Sequence, residues 1–282
     1  MPVSEEKKIF DYFYRNKYGN EIYNFRDLLK EAILVEFTSN NIEAERLTDT
    51  KVNRIWNSYV QEYYNDLKNN IVPIFDIIDE HAKTVKWIGI TASQIEQRKK
   101  YLYELRPDLY RYIDRITDRE YEALAHLICK TLGANNICLT DRGNEGGIDF
   151  LATIKFSHNA HFIFGMKGPI RIVGQCKKYA GKDNIGHMKE FAQTLNHVYN
   201  LSYRAGEILP DWFKMNAGPI VGWHIAHAGH QSGALNYAKN FGILTSSTKD
   251  IVEVICKSRY IVSFSNKLQV IKDEVSKALL TT

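Results

Sequence analysis

With 282 residues, 44% of them hydrophobic and 25% charged, the chain is sized for one large or two ordinary globular domains, and disordered, fibrous and collagen-like classes are excluded. The net charge of +4 is unevenly held, since residues 1–116 carry 18 Lys+Arg against 19 Asp+Glu and residues 117–282 carry 19 against 14. A phosphate-binding surface would therefore belong to the second half, although a merely basic surface accounts for the surplus equally well.

No apolar run reaches the ~18–20 residues that cross a bilayer. The opening MPVSEEKKIFDYFYRN lacks the apolar stretch of a secretory signal, so the expected location is the cytoplasm, away from membranes. Cys129, Cys138, Cys176 and Cys256 show no C-x-x-C spacing. A zinc ribbon is unsupported, and this cysteine usage fits a reducing compartment.

In chain order, the first ~115 residues read as helices, forming an all-α N-terminal domain over 1–115. NEIYNFRDLLKEAILVEF is one helix; DTKVNRIWNSYVQEYYNDL is another, with Val52, Ile55, Trp56, Tyr59 and Tyr63 on its apolar stripe. Ser93 with Glu96 forms a capping box that opens a third, and Pro107 either breaks it or opens the next. From Thr117 the pattern changes. Thr117 and Glu120 make a second capping box for the helix DREYEALAHLICKTLG, whose inward stripe is Tyr121, Leu124, Ala125, Ile128 and Leu132 and which ends at Gly133. NICLT and IDFLATIKF read as strands around the loop DRGNEGG, and IRIVGQCKKY as a third strand. The helix NIGHMKEFAQTLNHVYN turns Ile185, Met188, Phe191, Ala192 and Leu195 inward. Strand PIVGWHIAHAG, helix SGALNYAKNFG, strand ILT and helix KDIVEVICKS complete an α/β domain with a mixed central sheet over 116–282.

Chemistry concentrates at GGIDF and GQCKKY. Side chains alternate along a strand, so Gln175 and Lys177 share a face about 6–7 Å apart while Cys176 points away. A hairpin between the two strands would bring Asp149 to the same end of the sheet, with Glu122 of the preceding helix as a second carboxylate. Oxygen donors of this kind suit Mg²⁺, which polarises a phosphoryl group and acidifies a bound water, and a lysine beside it stabilises transition-state charge.

These motifs, with the helix EYEALAHLICKTLG before them and HMKEFAQTL after them, resemble an Mrr-type restriction endonuclease domain over roughly 117–256. The Mrr type is a PD-(D/E)xK nuclease variant in which Gln replaces the acidic residue before x-K. The resemblance implies a restriction-endonuclease-like mixed sheet flanked by helices and a Mg²⁺-dependent DNA endonuclease, with Mn²⁺ as a substitute, acting in bacterial restriction or anti-phage defence. It assigns Asp149, Gln175 and Glu122 to the metal and to catalysis, Lys177 to catalysis, and the backbone carbonyl of Cys176 to the metal. Lys178, Lys182 and Lys189 flank the site and are candidates for DNA phosphates. A non-catalytic DNA-binding or assembly subunit and a structure-specific repair or recombination nuclease are the alternative readings. Cutting both strands would call for a homodimer, and the helical half would serve a protein partner, sensing or DNA recognition.

Two other features take plainer readings. Glu145 is expected to be a loop surface residue. His224, His227 and His230 raise a metal-site reading, but three-residue spacing on a strand sends His224 and His227 to opposite faces. Loop histidines or phosphate contacts are then the expected roles.

Overall fold

The computed structural model of the chain describes residues 4–19, 21–87, 103–141, 146–155, 168–200, 209–215 and 218–280. They fall into two units, Met1–Tyr112 and Ile113–Thr282. The Ser93–Glu96 capping box, Glu145 and most of the connection after Ile154 lie outside the described residues.

The first unit begins with α1 (Glu5–Arg15), whose Ser4 hydroxyl accepts the Lys7 N–H. A short strand β1 (Ile22–Asn24) runs into α2 (Phe25–Glu36), with Asn24 as its N-cap. Asn40 caps the long helix α3 (Asn41–Lys68). Strands β2 (Phe75–Asp79) and β3 (Thr84–Trp87) then join β1 in an antiparallel sheet of order β1-β3-β2. The unit is largely helical as expected, but the all-α expectation is corrected by this small sheet. Its strands span only three to five residues, too short for period-2 alternation to stand out beside strong helical stripes. The turn between β2 and β3 carries the local chemistry that makes it: Asp79 Oδ1 accepts the N–H groups of His81 and Ala82, and Lys83 takes a left-handed φ of 53°.

Aromatic rings fill this unit's core. Phe13 meets Phe25 and Phe75 edge-on at centroid distances of 5.9 and 5.6 Å. On α3, Ile55, Trp56 and Tyr59 are buried, with Val52 and Tyr63 at the margin. The Tyr59 hydroxyl donates to the Phe75 carbonyl (2.6 Å) and accepts the Phe75 N–H (3.0 Å), so one side chain satisfies both backbone groups at the start of β2. Tyr59→Phe strands two buried polar groups and is expected to cost about 2–3 kcal/mol, read as a lower urea midpoint with an unchanged slope. An unchanged midpoint would show that β2 does not depend on this bond. After α3, α4 (Arg106–Arg115) carries Pro107 in its first turn, where the missing N–H is harmless.

The first helix lying wholly in the second unit is α5 (Asp118–Thr131), and both halves of the Thr117–Glu120 capping box are present. Strands β4 (Ala134–Leu139), β5 (Phe150–Ile154) and β6 (Ile170–Lys177) pair antiparallel. Helix α6 (Ile185–Tyr199) and the short α7 (Asp211–Lys214) precede β7 (Ile220–Ala226). Helix α8 (Ser232–Asn240) leads to β8 (Leu244–Ser247), and α9 (Thr248–Lys257), α10 (Arg259–Val262) and α11 (Lys267–Leu280) close the fold. The sheet order is β4-β5-β6-β7-β8, with β6, β7 and β8 parallel. This is the expected mixed sheet flanked by helices.

One face is covered by α6 and α8, where Leu151 and Val173 of the sheet pack against Met188, Phe191, Leu195, Ala234 and Ala238. On the other face α5 lies against the sheet and α9, with the Tyr121 hydroxyl 3.0 Å from Thr248 Oγ1. Tyr121, Leu124, Ala125 and Ile128 are buried as expected, but Leu132 is 47% exposed and Ile185 41%. Leu132 is the C-cap of α5 and Ile185 the first residue of α6; a helical stripe faces the core only while the helix lies over it. Cys129, Cys176 and Cys256 are buried thiols and Cys138 is partly so.

Candidate active site

Strand pairing sets the site. Phe150 stands opposite Gly174 and Leu151 opposite Val173 in the antiparallel β5–β6 ladder, the hairpin partnership expected from sequence. The strands stay joined one residue past this last pair, because the Asp149 N–H also donates to the Gly174 carbonyl at 2.8 Å. Beyond it the Asp149 carboxylate accepts the N–H of Cys176. Asp149 is 6% exposed, so the acid is fixed against β6 by main-chain and side-chain bonds at once. N–H and C=O of one strand residue point to the same flank, which places the Cys176 carbonyl on the side of the Asp149 carboxylate.

The loop before Asp149 is shaped by glycine. Gly147 has φ +84°, and a Cβ there would lie 2.9 Å from Thr194 Oγ1 and 3.4 Å from Gln175 Nε2. The close approach lets the Thr194 hydroxyl of α6 donate to the Gly146 carbonyl at 3.2 Å and Gln175 Nε2 donate to the Gly147 carbonyl at 2.9 Å. With its amide nitrogen so engaged, Gln175 presents Oε1, a buried acceptor with no hydrogen-bond partner among the described residues.

Lys177 is two residues along β6, half-buried, with an ammonium that makes no ion pair among the described residues. Cys176 between them is buried on the face toward α5. Burial pushes its thiol well up, and the carboxylates of Asp149 and Glu122 add to the effect. Both acids thus act on one residue of β6. Glu122 is itself engaged by Arg119 at 2.7 Å, and Arg119 also donates to the Thr140 carbonyl at 2.8 Å. Of the flanking cations, Lys178 Nζ donates to the Asp114 carbonyl at 3.1 Å, Lys182 is exposed, and Lys189 sits 6.0 Å from the Tyr237 ring centroid.

The histidines divide in an unexpected way. His224 and His227 diverge as their spacing requires: His227 faces Thr248 Oγ1 (2.9 Å) and the Tyr121 ring, and His224 faces Phe191 of α6. His230, however, returns past Gly229 (φ +75°) and meets His224 and Asp183. Strand alternation gave no signal of this convergence, because a turn separates His230 from β7. The visible sequence signal was Gly229 itself, a residue able to reverse the chain.

Residues 113–205 match the family model Mrr_cat, described as a restriction endonuclease. Among solved structures the chain is similar to the MspJI restriction endonuclease in complex with a 27-mer oligonucleotide, at 13% identity and a TM-score of 0.40, covering 70% of this chain and 42% of that one. It is also similar to the DNA modification-dependent restriction endonuclease AspBHI (14%, 0.38, covering 69% and 44%) and to the restriction endonuclease FokI (10%, 0.36, covering 89% and 43%). The chain spans less than half the length of each of these proteins. No curated protein matches it.

Proposed function

Starting from the Mrr-type restriction-endonuclease domain carried by residues 113–205, we propose that the second unit hydrolyses DNA phosphodiester bonds with a bound Mg²⁺, Mn²⁺ serving as a substitute. The observation that carries this reading is the pairing of Asp149 with β6. It sets a buried carboxylate beside Gln175, whose Oε1 is a buried oxygen without a hydrogen-bond partner among the described residues. A carboxylate, an orphaned amide oxygen and a main-chain carbonyl form a hard, all-oxygen donor set that fits Mg²⁺, an ion that needs few protein ligands and keeps its waters. Asp149, Gln175 and the Cys176 carbonyl would hold it, with Glu122 reaching it through water. When bound, the ion supplies Lewis acidity toward the phosphoryl group and a water of lowered pKa.

The chain's own residues supply the rest. Lys177 stands on β6 with an ammonium that makes no ion pair among the described residues, suited to a non-bridging phosphate oxygen whose charge grows in the transition state. The bond from Nε2 to the Gly147 carbonyl holds the Gln175 amide so that its oxygen, not its nitrogen, would face the ion. Lys178, Lys182 and Lys189 would neutralise flanking phosphates, making binding salt-dependent. The first unit, with its slight acidic balance, is better suited to a protein partner than to DNA. Two chains would be needed to cut both strands with one site each. Bacterial restriction or anti-phage defence is the role this activity serves.

Supercoiled plasmid incubated with the purified chain and Mg²⁺ should be nicked or linearised, and excess chelator should stop it. Retention of the plasmid without cleavage under Mg²⁺ and Mn²⁺ would instead support a binding or assembly subunit.

A further inference from the structure

On the face covered by α6, three buried side chains from separate segments meet: Asp183 before α6, His224 in the middle of β7, and His230 beyond its end. We propose that Asp183, His224 and His230 form a binding site for a transition-metal ion of the Zn²⁺ class, separate from the Mg²⁺ position at Asp149.

Each residue offers a ligand atom, and these atoms all lie within 4.8 Å of one another. The backbone is arranged to hold them there. Asp183 and His230 are joined by a parallel bridge in which the Asp183 N–H donates to the Gly229 carbonyl (2.8 Å) and the Gln231 N–H donates to the Asp183 carbonyl (2.9 Å). His224 is wholly buried, its ring packed edge-on against Phe191 at 5.4 Å.

Hydrogen bonding alone leaves this cluster unsatisfied. His224 Nδ1 lies 3.0 Å from His230 Nε2, and one of the two carries the proton between them. If His224 carries it, Nε2 is a bare lone pair facing the carboxylate. If His230 carries it, the His224 Nε2–H points toward Asp183 Oδ2 across 3.5 Å, too long for a sound bond. In both tautomers Asp183 Oδ2 and His224 Nε2 are buried atoms with no hydrogen-bond partner among the described residues, a costly state in a sheet interior.

A cation between them resolves both. Two ligands each about 2.0–2.2 Å from a tetrahedral ion stand roughly 3.3–3.5 Å apart, which is the observed Asp183–His224 spacing. The donor set of two imidazoles and one carboxylate suits Zn²⁺ and its neighbours rather than Mg²⁺. The surrounding groups agree. His187 Nδ1 bonds the other carboxylate oxygen of Asp183 at 2.5 Å, the kind of outer partner that orients a ligating carboxylate. Burial holds His224 below its ordinary pKa, with the neighbouring His230 adding to the effect, and burial lowers His230 too. Neutral imidazoles are the form that binds metal. His224 is also the register partner of Gln175 on β6, so an ion here would tie β7 and the start of α6 together beside the strand that carries Gln175 and Lys177.

The full chain, stripped with chelator and dialysed against micromolar Zn²⁺ in millimolar Mg²⁺, should retain about one zinc per chain by elemental analysis. Zn²⁺ should raise its melting temperature, and Co²⁺ in its place should give a visible absorption band. His224→Gln and His230→Gln should each weaken zinc retention by at least ~100-fold and abolish the thermal shift. Parent protein that retains no zinc and gives no Co²⁺ band overturns the proposal whatever the variants do. Variants that retain zinc as well as the parent overturn it too. These readouts need no DNA cleavage, so a chain that holds zinc yet never cuts DNA would leave this site standing and remove the nuclease reading alone.

Discussion

Lys177→Met is expected to slow plasmid nicking by at least ~100-fold, the loss typical when one preorganised donor to transition-state charge is removed. The melting temperature should stay within a few degrees of the parent, because the ammonium makes no ion pair among the described residues and methionine keeps the apolar stem. Asp149→Asn should match it in activity for a different reason. Asparagine keeps an oxygen for the Cys176 N–H, so the β5–β6 corner persists, but the charge proposed to draw a divalent ion is gone. Mn²⁺ should then restore part of the Asp149→Asn activity and none of the Lys177→Met activity, since only the first variant is defective in metal affinity. Gln175→Glu serves as a control: its carboxylate should retain metal binding with an altered metal preference. Unchanged cleavage by both Lys177→Met and Asp149→Asn would remove these two residues from the chemistry.

What the sequence made legible here was whatever follows from spacing along one element. Gln175 and Lys177 share a strand, so alternation alone put them on one face and Cys176 on the other, and the capping box at Thr117 marked the start of α5. The bond from the Cys176 N–H to the Asp149 carboxylate was not legible, because it depends on how the strands stay joined just past the end of the ladder at Phe150. Nor was Gly147's packing against Thr194, which joins residues far apart in sequence through helix placement. The Arg119–Glu122 pair did follow helical spacing, but its further hold on the Thr140 carbonyl required knowing where β4 ends. The histidine cluster failed for the same reason in stronger form. Asp183, His224 and His230 come from three segments, and two of them meet only through a bridge that no periodicity announces. The β1-β3-β2 sheet of the first unit fell below the length at which alternation is visible.

The glycine at position 174 offers the sharpest test of the strand pairing on which the site depends. A Cβ there would come within 2.0 Å of the Phe150 ring, whose atoms cross directly over the strand. Phe150 is wholly buried and stands edge-on to Trp223 at 5.8 Å, so the ring has little freedom to retreat. Gly174→Ala is therefore expected to destabilise the second unit by about 2–3 kcal/mol through overpacking, seen as a lowered denaturation midpoint. Phe150→Ala alone should cost about 3–5 kcal/mol by leaving a cavity. The double variant should be more stable than the sum of the two losses predicts by at least ~1 kcal/mol, because the new methyl enters the space the ring vacates. Strict additivity would mean that the two residues do not oppose each other across β5 and β6. In that event the register that brings Asp149 to Gln175 would itself be wrong.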